Sequence, residues 1–155
     1  MNCNHSNCSD RHSSDKSLDY SQSLLELEFD KSIHSAAQSN NRTRLTSLLS
    51  RSNPIQLANQ LDSAGYSPLH YAARQGHLDI CKLLIQAGAD INYATLELHT
   101  TSLHRAVVGG HVHIVQYLID MGADIHRVDL DGRTPLSLAV KAGHEHIVHI
   151  LNSCS

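Results

Sequence analysis

The chain has 155 residues, a length that makes one ordinary domain the default. It is 41% hydrophobic but only 4% aromatic, with no Trp and one Phe, so its core must be built from Leu, Ile, Val and Ala, which suits thin stacked layers. With 12 Lys and Arg against 15 Asp and Glu the formal charge is −3, leaving no global field to attract a phosphate backbone, and nucleic acid is not expected as a partner.

The polar head, residues 1–18, is rich in Ser, Asn, Asp and His, has almost nothing to bury, and is expected to be disordered. Residues 1–10 lack the apolar stretch of a secretory signal, and Cys3, Cys8, Cys81 and Cys154 lack the dense spacing of a stapled secreted domain. An intracellular setting, cytoplasmic or nuclear, is therefore expected. No apolar run approaches the ~20 residues of a membrane span, and no membrane partner is expected. In residues 19–60, Leu25, Phe29 and Ile33 step by four, which predicts a helix leading into Ile33-His34-Ser35-Ala36-Ala37. Leu45, Leu48 and Leu49 follow as a second apolar stripe. This block reads as a worn copy of what comes next: Asn40 stands where later copies have Gly, and Arg44 where the next has Ile80. A polar residue there suits a terminal unit, whose outer side must be wetted.

Residues 61–94, 95–128 and 129–155 carry the repeat in clear form. Leu69-His70-Tyr71-Ala72, Leu103-His104-Arg105-Ala106 and Leu136-Ser137-Leu138-Ala139 recur at steps of 34 and 33 residues. The same steps carry Gly76-His77 onto Gly110-His111 and Gly143-His144, and the first carries Gly88-Ala89-Asp90 onto Gly122-Ala123-Asp124. Ser67, Thr101 and Thr134 are predicted helix N-caps, with Pro68 and Pro135 at the first helical position. Gly76, Gly110 and Gly143 should end that helix in a left-handed conformation. A second helix then carries Ile80, Leu83 and Leu84, and its counterparts Ile114 and Leu118, and Ile147, Ile150 and Leu151. The rest of each period is short and polar and reads as a hairpin-like connection. In the middle copy His99 replaces the turn glycines Gly65 and Gly132, and one residue is inserted: Asp90 to His99 counts 9, against 8 from Asp124 to Gly132.

Ser67-Pro68-Leu69-His70, Thr101-Ser102-Leu103-His104 and Thr134-Pro135-Leu136-Ser137, with Gly-His and Gly-Ala-Asp at matching offsets, resemble the ankyrin repeat. Phe29-Asp30, Ser35-Ala36-Ala37 and Asp62-Ser63-Ala64-Gly65-Tyr66 extend the likeness to small ankyrin-repeat-only proteins. The resemblance implies an all-α solenoid of about four units, helix pairs with projecting β-hairpins, the first unit degenerate and the last truncated. It also implies hydrogen bonding of the tetrapeptide Thr or Ser and His across the helix start. Some members are hydroxylated on an inter-repeat Asn, and Leu84, Asp90, Ile91 and Asn92 resemble that pattern, which makes Asn92 a possible modification site.

A linear stack leaves a long concave face of hairpins and inner helices in water, suited to a protein partner and devoid of a closed pocket for chemistry. By register that face should hold Ser63, Ala64, Tyr66, Arg74, Gln75, Glu97, Thr100, Val108, Leu130, Arg133 and Lys141. Tyr66 and Arg74 are the expected anchors, because Tyr and Arg are enriched among binding hot spots. The expectation is a non-enzymatic adaptor without cofactor, monomeric when unbound, binding another protein. Two alternatives compete with it: a metal-responsive protein using Cys3, His5, Cys8 and His12, and a structural subunit of a larger assembly. For the second, Ile147, Ile150 and Leu151 would lack a covering repeat. His113, His146 and His149 read as decoration of the outer helices, and Cys81, set in an apolar stripe, as a small buried hydrophobe rather than a nucleophile. No phosphate-cradling loop or Gly-x-Ser-x-Gly motif is present.

Overall fold

A computed structural model describes residues 32–51 and 53–155. The polar head, the Cys/His set within it, and Leu25 and Phe29 lie outside the described residues. Among the described residues the chain forms α1 (Ile33–Gln38), α2 (Arg42–Arg51), α3 (Pro54–Ala58), α4 (Pro68–Gln75), α5 (Leu78–Gln86), α6 (Ser102–Gly109), α7 (Val112–Asp120), α8 (Pro135–Ala142) and α9 (Glu145–Ser153). No segment of these residues is a strand.

The helices stack in two rows. The first helix of each pair packs on the next, α1 on α4, α4 on α6 and α6 on α8, while α2, α5, α7 and α9 form the second row. Each pair closes on itself through an apolar stripe, and a single continuous core results. Ala36, Ala72, Ala106 and Ala139 lie at the centre of the first row, fully buried, where a larger side chain would hold neighbouring helices apart. Leu45, Ile80, Leu84, Ile114, Leu118, Ile147 and Leu151 fill the space between rows.

The start signals act in two different ways. Thr101 accepts a hydrogen bond from the His104 backbone N–H, and its own N–H donates to His104 Nδ1, so the pair caps the helix reciprocally. Thr134 accepts from the Ser137 N–H at 3.2 Å. Ser67 departs from the expectation: its side chain makes no cap bond to the backbone and instead lies 2.8 Å from His70 Nδ1. The end signals act through backbone geometry. Gly76 and Gly110 sit at φ +87° and +74°, and a Cβ at either would come within 3 Å of the ring of His111 or His144 from the following repeat. Glycine is needed twice there, for the turn and for the close approach of the next unit. Asn40, in the degenerate first copy, adopts φ +57°, as its place in the register requires.

Three details correct the sequence reading. The connections implied to be β-hairpins are tight hydrogen-bonded turns without strands, because each offers too few residues for a ladder: Asp62 N–H donates to Tyr66 C=O, and Gly65 N–H back to Asp62 C=O. An unforeseen short helix, α3, begins at Asn53-Pro54, where the Asn53 side chain accepts from Ile55 and Gln56 N–H; it is the same cap-then-Pro signal as Ser67-Pro68. In the last unit Ile147 and Leu151 are buried against α8 and α7 and Ile150 is half-buried, so the large apolar residues left in water there are Leu130 and Val140, each 62% exposed.

Candidate protein-binding face

Buried histidines hold the first-row helices in register and so set the geometry of the face beside them. A carbonyl oxygen can only accept, so Nε2–H is the donor from His34 to Gln60 C=O (2.9 Å), from His70 to Thr100 C=O (3.1 Å) and from His104 to Arg133 C=O (3.3 Å). In His70 and His104 the opposite nitrogen, Nδ1, then accepts from the Ser67 and Thr101 hydroxyls respectively, each at 2.8 Å. Burial pushes all three imidazoles below their ordinary value, His70 to about 4, so each stays neutral at neutral pH. His77 and His111 reach backwards instead, to Gln38 and Arg74 C=O, each at 2.9 Å.

The loop tips differ from one another. In the first and third, an aspartate organises the turn: Asp62 Oδ1 accepts from Ala64 and Tyr66 N–H, and Asp129 Oδ1 from Asp131 and Arg133 N–H. Partial burial pushes the Asp62 carboxyl up, but the Tyr71 hydroxyl (2.5 Å) and the Tyr66 and Ala64 amides outweigh it and hold it below the usual range. Asp129 is likewise held low by Arg133 against its burial. In the middle loop Thr95 replaces the aspartate, the bridging bond runs from Thr95 N–H to Thr100 C=O, and the extra residue widens the turn. His99 takes φ +51° there. Leu130 N–H donates to Leu98 C=O at 3.0 Å, tying the second tip to the third.

The residues expected on the face fall into three groups. Ser63, Ala64, Arg74, Gln75, Glu97, Val108, Leu130 and Lys141 are exposed. Thr100 and Arg133 are half-buried and already engaged: Thr100 bonds Thr95, and Arg133 pairs with Asp129 at 2.9 Å and Asp131 at 2.5 Å. Tyr66 is half-buried and stacked: the Arg105 guanidinium lies 4.7 Å from its ring centroid and donates to its hydroxyl, and the rings of His70 and Tyr71 meet it edge-on. Around this stack lies a cleft of 250 Å³ lined by Tyr66, His70, Tyr71, Arg74, Leu98 and Arg105. Sequence reasoning found Tyr66 and Arg74 but missed Tyr71, Leu98 and Arg105. For Tyr71 and Arg105 the signal is the register itself, because they occupy the same position in adjacent repeats, whereas Leu98 lies in the irregular middle loop, where the register gives none.

Asn92 has a structural task. Its Oδ1 accepts from Asp124 N–H at 2.8 Å and its Nδ2 donates to Gly122 C=O at 3.2 Å. Asn59, one repeat earlier, makes the same two bonds to Asp90 N–H and Gly88 C=O. The Gly-Ala-Asp motif is thus the receiving half of a clamp between successive repeats. Elsewhere, burial pushes the Cys81 thiol up to about 12, the reverse of what a nucleophile needs. Among the described residues no three His, Cys, Asp or Glu side chains converge to hold a metal, and no helix is long and apolar enough to cross a membrane.

A family model described as ankyrin repeats in many copies matches residues 33–85, 69–119 and 103–151 in overlapping stretches. The chain belongs to the ankyrin-repeat family. Ankyrin repeats are generally protein–protein interaction modules, and the family is generally non-enzymatic. Human ankyrin repeat domain-containing protein 39 is 37% identical over 78 residues, half of this chain and 41% of that protein. Alpha-latrotoxin-Lt1a of Latrodectus tredecimguttatus is 35% identical over 142 residues, 89% of this chain but 10% of the toxin. The E3 ubiquitin-protein ligase XBAT32 of Arabidopsis thaliana is 49% identical over 88 residues, 56% of this chain and 17% of the ligase. The chain therefore spans less than half the length of each of these relatives.

Proposed function

We propose that this chain is a non-enzymatic interaction adaptor that binds a partner protein through the face made by its first-row helices and loop tips. The observation that supports this most is the run of apolar side chains left in water on these elements: Leu98 on the middle tip, Val108 on α6, Leu130 on the third tip and Val140 on α8. Val108 is 57% exposed and Leu130 62%, on backbone that is fixed by the His and Asp bonds just described. Apolar groups on an open surface favour a macromolecular partner, since burying each on association releases water while the backbone beneath it is already ordered. Asn92, which holds one junction of the same stack, is a proposed hydroxylation site.

Affinity capture from cells with the full chain tests the adaptor reading. The wild type is compared with Val108→Asp/Leu130→Asp and with the second-row control Lys82→Glu/Gln116→Glu, each checked for helical content by circular dichroism. A partner lost only with the first variant supports the face. A partner retained by it and lost with the control moves function to the second-row helices.

A further inference from the structure

The cleft at the middle tip combines positive charge with an apolar floor. Arg105 is half-buried, its Nε is sequestered without a hydrogen-bond partner, and its guanidinium lies over the Tyr66 ring. Among the described residues its guanidinium donates to a neutral group, the Tyr66 hydroxyl. Arg74, from the preceding repeat, stands exposed on the rim of the same cleft. Among the described residues neither arginine pairs with a carboxylate. The nearby acid, Asp62, is occupied by the Tyr71 hydroxyl and two backbone amides. A guanidinium taken partly out of water with only neutral partners carries an uncompensated desolvation cost, which an arriving anion relieves. At 250 Å³ the cleft lies below the size of pockets that enclose drug-sized ligands or cofactors, and suits one or two side chains of a peptide.

Building on the adaptor reading, we infer that this cleft is a docking site for an acidic peptide segment of the partner, seating an Asp or Glu carboxylate against Arg105 and Arg74 and a neighbouring apolar side chain against Tyr71 and Leu98. The planar guanidinium matches a two-oxygen carboxylate edge to edge, and stacking on Tyr66 fixes its plane before the ligand arrives.

The test is selection from a random 12-residue peptide library on the full chain. The best binder is then resynthesised with its acidic residue as Gln and as phosphoserine, and measured against wild type, Arg74→Gln, Arg105→Lys and the remote control Lys141→Gln. The expected result is enrichment of Asp or Glu beside an apolar residue. Affinity should fall at least tenfold for the Gln peptide and for Arg105→Lys, several-fold for Arg74→Gln, and hardly at all for Lys141→Gln. Thermal melts of each variant separate lost binding from lost folding, and because Arg74 is exposed its variant reports on binding even if Arg105→Lys is destabilised. No enriched peptide, binders without acidic enrichment, equal binding of the Gln peptide, or tighter binding of the phosphoserine peptide would each overturn the inference. Binders that lack acidic residues yet lose affinity with Val108→Asp/Leu130→Asp would leave the adaptor reading standing while removing this one.

Discussion

His70 and His104 hold the same register position in neighbouring repeats, and each is spanned by a hydroxyl on Nδ1 and a carbonyl on Nε2. Protonation would put a hydrogen on Nδ1 and destroy its acceptor role while charging a buried ring. The unfolded chain binds those protons near pH 6.5, whereas burial lowers the folded values of His34, His70 and His104, to about 4 for His70. Stability is therefore complete above pH 6.5 and is lost as pH falls through the folded-state values, by at most ~1.4 kcal/mol per pH unit for each histidine. Urea midpoints at pH 7.5 and 5.0 check this: the wild type should lose stability, and His70→Gln should lose less. Asp62 and Asp129, whose carboxyls are held low, add nothing in that window and weaken the fold only in stronger acid. His99 is the opposite kind of residue, exposed and confined to φ +51°. His99→Gly should raise stability by about 0.5 kcal/mol, the relief of left-handed strain exceeding the entropy of the added glycine; an unchanged or lower urea midpoint would show that the ring makes a contribution of its own.

At the scale of the element, the junction between repeats is built from polar clamps laid over an apolar core. Asn59 and Asn92 stand 33 residues apart, and each binds the Gly-Ala-Asp segment of the following repeat. The third member of this series is His126, for which no following Gly-Ala-Asp segment exists within this chain. Asn92→Ala should cost about 1–2 kcal/mol through two lost hydrogen bonds. His126→Ala should stay within ~0.5 kcal/mol, as exposed substitutions do. Hydrogen exchange at Asp124 N–H reports the same event locally, and protection that survives Asn92→Ala would mean that the amide is held by packing alone.

For the stack as a whole, the energetic weight of a position depends on whether a neighbour covers it. Val107 and Val140 are register equivalents, yet Val107, on α6 with α4 and α8 packed against that helix, is fully buried while Val140 is 62% exposed. Val107→Asp should cost more than 3 kcal/mol by burying an unpaired charge, and Val140→Asp less than about 0.5 kcal/mol. Guanidinium unfolding of both variants checks the contrast, and equal losses would show that a further element covers α8 in solution.

The repeat, the helix pairs and their caps were legible along the chain because they depend on local chemistry: a hydroxyl and a proline at a helix start, a glycine or Asn40 where φ turns positive, leucines and isoleucines at helical spacing. The structural role of the landmark histidines was legible too, since His70 and His104 recur in register. Other features needed the stack. Ser67 looks like Thr101 on paper, and both hydroxyls meet the Nδ1 of the following His, but only that of Thr101 also accepts from the helix backbone. The Asn92 clamp depends on a segment a full helix pair away in sequence, and the Arg105 stack on Tyr66 spans 39 residues. Cap and turn are settled by forces acting over a few residues, so the sequence determines them by itself. Which charge is left unbalanced and which apolar face meets water follow from distant segments brought into contact, and only the tertiary structure decides them.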